Sequence, residues 1–403
     1  MTPVDSRSAE DPFTATGAAE RHAAYAALAA AGPVHKITLP TGAPAWLVTG
    51  YDEARQALHD PRLVKSEHVL TTVGRGVVSP ELLSAVTNHM LNNNPPAHTR
   101  LRRLVAAAFT RRRVEELAPR IQQITDELLD AMAGAAQVDL LESFAYPLPI
   151  TVICELLGVP AQRRSEFHEW SSVVVSGVLA GREVFIAASV AMVGFLRELV
   201  AAKRAAPADD LLSALVAVRD GADRLSEDEL TSMALLLLVA GHETTVNLIA
   251  NGVLALLTHP GQHALLQAQP DRLGTAIEEL LRFDGPLQVA TLRVASEPIE
   301  LGAATITAGD IVVVGLLAAN RGAACVPQPD ALDITRADNP HLAFGHGIHH
   351  CLGAPLARLE ARIALGSLLA RFPRLRLAVP PGQLTWLPGV LMNGLTALPV
   401  APE

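Results

Sequence analysis

Aromatic side chains are scarce in this sequence, with Phe, Tyr and Trp together making up 4% of its 403 residues. Cysteine is scarcer still. Cys154, Cys325 and Cys351 lie too far apart to build the disulfide framework of a small secreted domain, and a reducing compartment suits them better. Basic charge is also in deficit: 32 Lys and Arg against 41 Asp and Glu leave a formal charge of −9. No overall positive field therefore draws the chain to nucleic acid or anionic lipid. Neither an internal repeat nor a low-complexity tract beyond alanine is present. Met1–Phe13 carries Asp5, Glu10 and Asp11 and no apolar run, so it does not read as a signal peptide. What is plentiful is apolar surface, at 50% hydrophobic residues against 18% charged, the balance of a globular chain with a large core.

One apolar stretch is long enough to cross a bilayer. Between Thr231 and Leu257 the only charged residue is Glu243. His242, Glu243, Asn247 and Asn251 occupy its middle, however, and no Lys or Arg cluster flanks it. It reads as a helix buried within a large domain.

Helical spacing dominates elsewhere. The periodicity predicts helices over Ala18–Ala30, Tyr51–His59, Thr99–Phe109, Val114–Ala133, Ile150–Leu157, Val184–Ala205, Asp228–Leu257, Asp271–Arg282 and Pro355–Arg371. Strand signals gather in two distant places, Val34–Thr49 and Thr291–Val314. Short strands at both ends of a helical chain need partners, and pairing with each other is the simplest arrangement. The breaks at Pro147–Pro149 and Pro207–Asp210 then read as loops. The expectation is a single, mainly α domain with small β-sheets over residues 1–403. Its longest helix opens on a capping box, Ser226 with Glu229, and Pro260 bars its continuation. About 30 residues at 1.5 Å each give roughly 45 Å, enough to cross the domain.

The densest chemistry lies in Phe344-Gly345-His346-Gly347-Ile348-His349-His350-Cys351-Leu352-Gly353. Its glycines let backbone pass close to a bulky flat group or a sulfur. Cys351 stands just ahead of Pro355, which suits the first turn of the following helix. There a thiol meets unpaired N–H groups and the positive end of the helix dipole, so the thiolate that a metal ligand needs is favoured. For a lone Cys, a structural role beside a glycine turn is the bland alternative. His341, His346, His349 and His350 raise zinc as another metal, but a single thiol and no clean ligand pairs argue against it.

A second motif, Ala240-Gly241-His242-Glu243-Thr244-Thr245, falls in the long helix. Glycine costs about 1 kcal/mol relative to Ala in a helix interior, so Gly241 asks for a reason. It could let the helix open or a small ligand approach the backbone; a packing glycine is the alternative. The neighbouring acid and alcohol, Glu243 and Thr244, can relay protons with water. Three weaker patterns remain. Glu279 and Arg282 lie three apart on one helix face, and His98 and Arg102 lie four apart, two donors suited to an anion. Arg100, Arg103, Arg111, Arg112, Arg113 and Arg120 gather basic charge, either as a solvated face or as a docking site for an acidic partner.

On the cysteine string and the Ala240–Thr245 motif, the chain resembles the haem-thiolate monooxygenases, the P-450 cytochromes, over nearly its whole length. It is most similar to the soluble actinobacterial members that act on secondary metabolites. The resemblance implies the cytochrome P-450 fold, with haem b (iron protoporphyrin IX) between a long central helix and the cysteine loop. It implies that Cys351 is the proximal thiolate and metal ligand, donating electron density that favours O–O cleavage. Phe344 then packs beside the thiolate, His349 meets a haem propionate, and Gly345 and Gly353 belong to the cofactor-binding loop. Ala240, Gly241, Glu243 and Thr244 form the oxygen-activation site, and His98, Arg102 and Arg293 bind propionates. Glu279, Arg282 and Arg336 become a structural set holding the proximal scaffold. Asn94 and Ala97 stand where acids are common, Gly322 where an Asp is common, and His350 at a tolerant position. None of these departures touches an essential role.

The implied function is hydroxylation or epoxidation of a hydrophobic macrolide, terpenoid or steroid-like metabolite. It uses O2 and electrons from a ferredoxin with its reductase, in a cytoplasmic monomer with no nucleic-acid or membrane partner. Lys65–Leu91 and Leu387–Leu395 are expected to border the pocket. Two other readings are a non-catalytic haem protein, a ligand sensor or carrier, and a peroxide-driven haem-thiolate enzyme. The first needs no acid–alcohol pair, and in the second the relay alcohol is usually replaced. Glu243 and Thr244 favour the monooxygenase.

Overall fold

The structure, a computed structural model, describes residues 12–15, 17–66, 80–176, 181–219 and 224–402. The chain opens with α1 (Ala18–Ala31), the hairpin β1 (Val34–Thr38) and β2 (Pro44–Val48), α2 (Tyr51–His59) and β3 (Leu63–Val64). Then come α3 (Pro80–Thr87), α4 (Ala97–Ala108), α5 (Arg111–Glu116), α6 (Ala118–Met132) and β4 (Val138–Asp139). The middle is helical: α7 (Pro147–Leu157), α8 (Arg164–Ser176), α9 (Arg182–Ala205), α10 (Leu211–Arg219) and the 32-residue α11 (Glu227–Thr258). After α12 (Pro260–Ala268) and α13 (Leu273–Asp284) stand β5 (Arg293–Ala295), β6 (Ile299–Leu301), β7 (Ala304–Ile306) and β8 (Ile311–Val314). The chain ends with α14 (Leu316–Asn320), α15 (Ala354–Arg371), β9 (Arg376–Leu377) and β10 (Pro399–Ala401).

Two compact units divide these elements. One comprises Met1–Val64, Arg120–Pro147 and Thr244–Glu403; the other comprises Lys65–Pro119 and Leu148–Glu243. The division falls within α11, between Glu243 and Thr244.

In the first unit the two strand regions do pair. β2 runs parallel to β8, with Ala45 opposite Ile311 and Val48 opposite Val314, in a five-stranded sheet of order β1-β2-β8-β5-β3. Ile311–Val314 is apolar at every position and buried throughout, as a strand covered on both faces requires. Trp46, Val48, Tyr51, Ala54, Val312 and Val314 share one apolar cluster there. In the second unit α9 packs against α8 and α10, and α10 against α4. Phe167, Met192, Leu196, Leu212 and Leu215 are fully buried in this unit.

Several boundaries differ from the periodicity. The region Pro147–Pro149, expected as a loop, begins α7, because prolines in a first turn forfeit no intrahelical hydrogen bond. Val114–Ala133, expected as one helix, divides at Leu117 into α5 and α6, with Pro119 in the first turn of the latter. Helices α3, α8, α10, α12 and α14 carry no counterpart in the sequence expectation. The capping box of α11 is formed: the Ser226 N–H donates to Glu229 Oε2 at 2.8 Å, and the Glu229 N–H to Ser226 Oγ at 3.2 Å. By length and composition, α9 and α11 could each cross a membrane; 44% and 61% of their most apolar windows are buried within the protein, so α11 is mostly buried, as a core helix is.

Candidate functional site

The cysteine string folds as a tight loop in front of α15. Gly345 and Gly347 take φ values of +71° and +72°, the left-handed region that glycine enters freely. At Gly347 a Cβ would also press on the Leu58 carbonyl oxygen at 2.7 Å. The loop is closed by the Cys351 N–H, which donates to the Phe344 carbonyl at 2.9 Å, and by the His350 N–H, which donates to Gly347 at 3.0 Å. Cys351 is exposed at the N-terminal end of α15, whose first turn holds Pro355. A Cβ on Gly353 would meet the Cys351 sulfur at 3.8 Å, an ordinary contact. His349 ends the short turn Gly347–His349 and is half-buried. The other two cysteines are buried, and burial pushes their thiols up to about 12 at Cys154 and about 11 at Cys325. Of the three, Cys351 is the one presented for ligation.

Helix α11 is buried over most of its second half, but not around its motif. Ala240 is exposed, and Leu236, Leu237, Gly241, Glu243 and Thr244 are half-buried, an arc centred on the small side chain of Ala240. Leu238, His242 and Thr245 point the other way and are buried. His242 Nδ1 lies 2.8 Å from the Leu238 carbonyl, and its Nε2 lies 3.3 Å from both Ser171 Oγ and Glu243 Oε1. Gly241 has a packing reason. A Cβ there would sit 2.8 Å from Ile153 Cδ1, so α7 approaches α11 at this glycine.

Among the cationic candidates, Arg293 on β5 is 4% exposed. It donates one bond from Nη1 to the Ala57 carbonyl at 3.3 Å, and its Nε meets no partner among the described residues. Burial pulls its guanidinium down to about 10, with Asp60 only partly offsetting this. His98 and Arg102 share a face of α4, His98 buried and Arg102 half-buried. The first unit thus holds Cys351, Phe344, Gly345, His349, Gly353, Arg293 and Thr244, while Ala240, Gly241, Glu243, His98 and Arg102 fall in the second. Glu279, Arg282 and Arg336 come together: Glu279 grips Arg282 at 2.7 and 2.8 Å, and Arg336 Nε lies 3.4 Å from Glu279 Oε2.

Some expectations are redrawn by geometry. Most arginines of the basic group are offset by carboxylates: Arg100 by Glu229 at 2.9 Å, Arg111 by Glu115 at 2.8 Å, Arg112 by Glu116 at 2.7 Å and Arg113 by Asp209 at 3.0 Å. Asn94, standing where an acid is common, accepts from the Lys65 N–H at 2.8 Å and donates to the Lys65 carbonyl at 2.7 Å. A carboxylate could only accept. Of Lys65–Leu91, residues 67–79 lie outside the described residues. The Leu387–Leu395 segment is pinned by Gln288, whose Nε2 donates to Gly389 and Met392 carbonyls at 2.9 and 2.8 Å, and by Asn251, which donates to the Asn393 carbonyl at 2.8 Å. Leu391 on this segment is 39% exposed. Glu278 and Arg358, which sequence reasoning passed over, join beside Phe344.

These residues fit a haem. An exposed thiol at a helix N-terminus can supply the thiolate. A buried guanidinium with an unsatisfied N–H calls for an anion such as a propionate. A helix face with alanine at its centre leaves a flat group room to approach.

Comparison with known proteins agrees. A model of the family described as Cytochrome P450 matches residues 189–391. The chain is 52% identical over 395 residues to cytochrome P450 107B1 of Saccharopolyspora erythraea, covering 96% of each. It is 49% identical over 392 residues to the vitamin D(3) 25-hydroxylase of Pseudonocardia autotrophica, covering 97% of this chain and 96% of that one. The solved structure of the tirandamycin C-bound P450 monooxygenase TamI superposes with a TM-score of 0.87 at 46% identity, covering 95% of this chain and 97% of that one. The chain therefore belongs to the cytochrome P450 family and is a haem-dependent monooxygenase.

Proposed function

We propose that the protein hydroxylates or epoxidises a hydrophobic secondary metabolite, a macrolide, terpenoid or steroid-like molecule, as a cytoplasmic monomer with 1–403 acting as one catalytic domain. Its electrons come from a ferredoxin and ferredoxin reductase. Haem b supplies the activation of O2 and the delivery of one oxygen atom. Cys351 holds the iron through its sulfur, with Phe344, Gly345 and Gly353 shaping the loop around it. Arg293, His98, Arg102 and His349 receive the carboxylates. Thr244 holds the water that passes protons, Ala240 keeps the helix surface low beside it, and Gly241 lets α7 pack close behind this stretch. Glu243, one residue earlier and about 100° round the helix, feeds protons from the outer side.

The observation that carries this reading is Cys351, an exposed thiol held by two left-handed glycines ahead of α15 while the other cysteines are buried. The substrate class is supported by exposed Leu391 on its pinned segment, and by two relatives named for a vitamin D(3) hydroxylation and for bound tirandamycin C. The test has two arms. Reduced wild type with carbon monoxide gives the red-shifted thiolate band, and Cys351→Ala loses it; a retained band would remove Cys351 from the role. With a surrogate ferredoxin chain and saturating substrate, Thr244→Ala still consumes NADH, but product per NADH falls several-fold and hydrogen peroxide rises. Unchanged coupling would pass the relay to Thr245 or ordered water. Turnover with peroxide alone at the full NADH-driven rate would favour the peroxide-driven reading, and no turnover with either would favour a sensor or carrier.

A further inference from the structure

Glu278 on α13 sits beside Glu279 in sequence but serves a different set of partners. Its Oε1 and Oε2 accept from Arg358 Nε and Nη2, each at 2.7 Å, and Oε2 lies 3.0 Å from His341 Nε2. Both partners bear on one ring. The Arg358 guanidinium lies 4.4 Å from the centroid of Phe344, and the His341 ring is tilted against it at 6.1 Å. Phe344 is the residue whose carbonyl receives the Cys351 N–H. A positive charge is thus stacked on the residue that closes the loop round the sulfur, and a carboxylate from another helix fixes where it stands.

We propose that Arg358 and Glu278 are positioning residues that set the electron-donating strength of the Cys351 sulfur. Arg358 brings a cation to the Phe344 face of the loop, and Glu278 both aims and offsets that cation. The bidentate grip makes the two effects separable. If Arg358 alone is neutralised, the remaining Glu278 charge disfavours an added electron on the iron. If Glu278 alone is neutralised, the uncompensated guanidinium favours it. Solvent screens part of this, since the Arg358 and Glu278 side chains are 40% and 30% exposed, so the effect is modest.

The proposal rests on Cys351 as the iron ligand. Its test is the reduction potential of the haem in substrate-free holoenzyme, for wild type, Arg358→Gln, Glu278→Gln and the double variant. Glu278→Gln raises the potential and Arg358→Gln lowers it. Each changes the ferrous-to-ferric ratio at fixed potential by about threefold, about 30 mV for one electron, and the double variant returns close to wild type. If the glutamine variants lose haem, Arg358→Lys and Glu278→Asp keep both charges but part them, and carry the same opposite signs at smaller size. Shifts in one direction, as a plain structural staple would give, or no shift at all, overturn the proposal. The carbonyl band read on the same samples separates the two failures. Without the thiolate red shift in wild type the ligand assignment itself falls; with it intact, only the Glu278–Arg358 inference does.

Discussion

The carboxylate of Glu279 grips the guanidinium of Arg282 through two parallel hydrogen bonds, 2.7 Å from Nε and 2.8 Å from Nη2, and neither side chain has any exposure. Arg282 also donates to the Asn320, Pro329 and Ala331 carbonyls, so one side chain ties α13 to the segment leading towards the cysteine loop. Removing one partner of such a pair strands a buried charge, at a cost of about 3–5 kcal/mol. Arg282→Met should therefore lower the free energy of unfolding, read from urea denaturation, by an amount in that range and reduce haem retention. A midpoint equal to wild type would show that the pair does not hold the scaffold.

Glu360, on α15, makes the opposite case. It has no exposure, neither carboxyl oxygen meets a partner among the described residues, and burial raises its pKa well above the usual carboxylate range. The folded state therefore keeps it protonated, whereas the unfolded chain ionises it above about pH 4.5. A raised folded pKa stabilises below the unfolded value, and that contribution is lost as pH rises. Glu360→Gln, neutral at every pH, should gain stability over wild type progressively from about pH 5 to 8. Denaturation midpoints at both ends of that range check it, and a constant difference would mean that Glu360 is ionised in the fold.

His89 titrates in the other direction. Burial pulls its imidazole down from 6.5 to about 4, and its Nδ1 has no partner among the described residues. Below pH 6.5 the unfolded chain takes up a proton that the folded chain refuses, so stability falls with pH until about 4. The loss is up to about 3 kcal/mol at 1.36 kcal/mol per unit. His89→Gln should flatten that slope. Parallel stability–pH curves for wild type and variant would contradict the assignment.

The contrast among the cysteines has its own readout. Native Cys351→Ala protein should take up almost no thiol reagent at mildly alkaline pH, because burial keeps Cys154 and Cys325 protonated and out of reach. Unfolding in urea should then release two thiols for labelling. Rapid labelling of the native variant would show that one of these pockets opens.

The sequence made the helical plan legible because periodicity is local, and it made the strand pairing legible because two apolar clusters had no nearer partners. It misjudged Pro147 and Pro149, whose cost depends on where a helix begins. The cysteine loop was readable from its string, and Gly345 and Gly347 take the backbone conformations glycine permits. Gly241 was not: its missing side chain answers to Ile153 on another helix, which no spacing within α11 could reveal. Glu278 and Glu279 look alike in sequence. Their partners, Arg358 and His341 for one, Arg282 and Arg336 for the other, are separated by the fold alone. The arginines of α5 read as a field of one sign until their carboxylates were placed.

The parallel pairing of β2 with β8 also sets a timetable for biosynthesis. Ala45 leaves the ribosome long before its neighbour Ile311 exists. At roughly 5–20 residues per second the interval is on the order of tens of seconds. Throughout it β2 has no mate for its outer edge, and β1 and β2 alone make at best a marginal ribbon, while every residue of Lys65–Pro119 and Leu148–Glu243 is made. The sheet that carries Arg293 can close only after that, and Cys351 emerges later still. Nascent chains arrested before β8 should therefore hold an unfinished sheet, and cofactor loading belongs to the finished polypeptide.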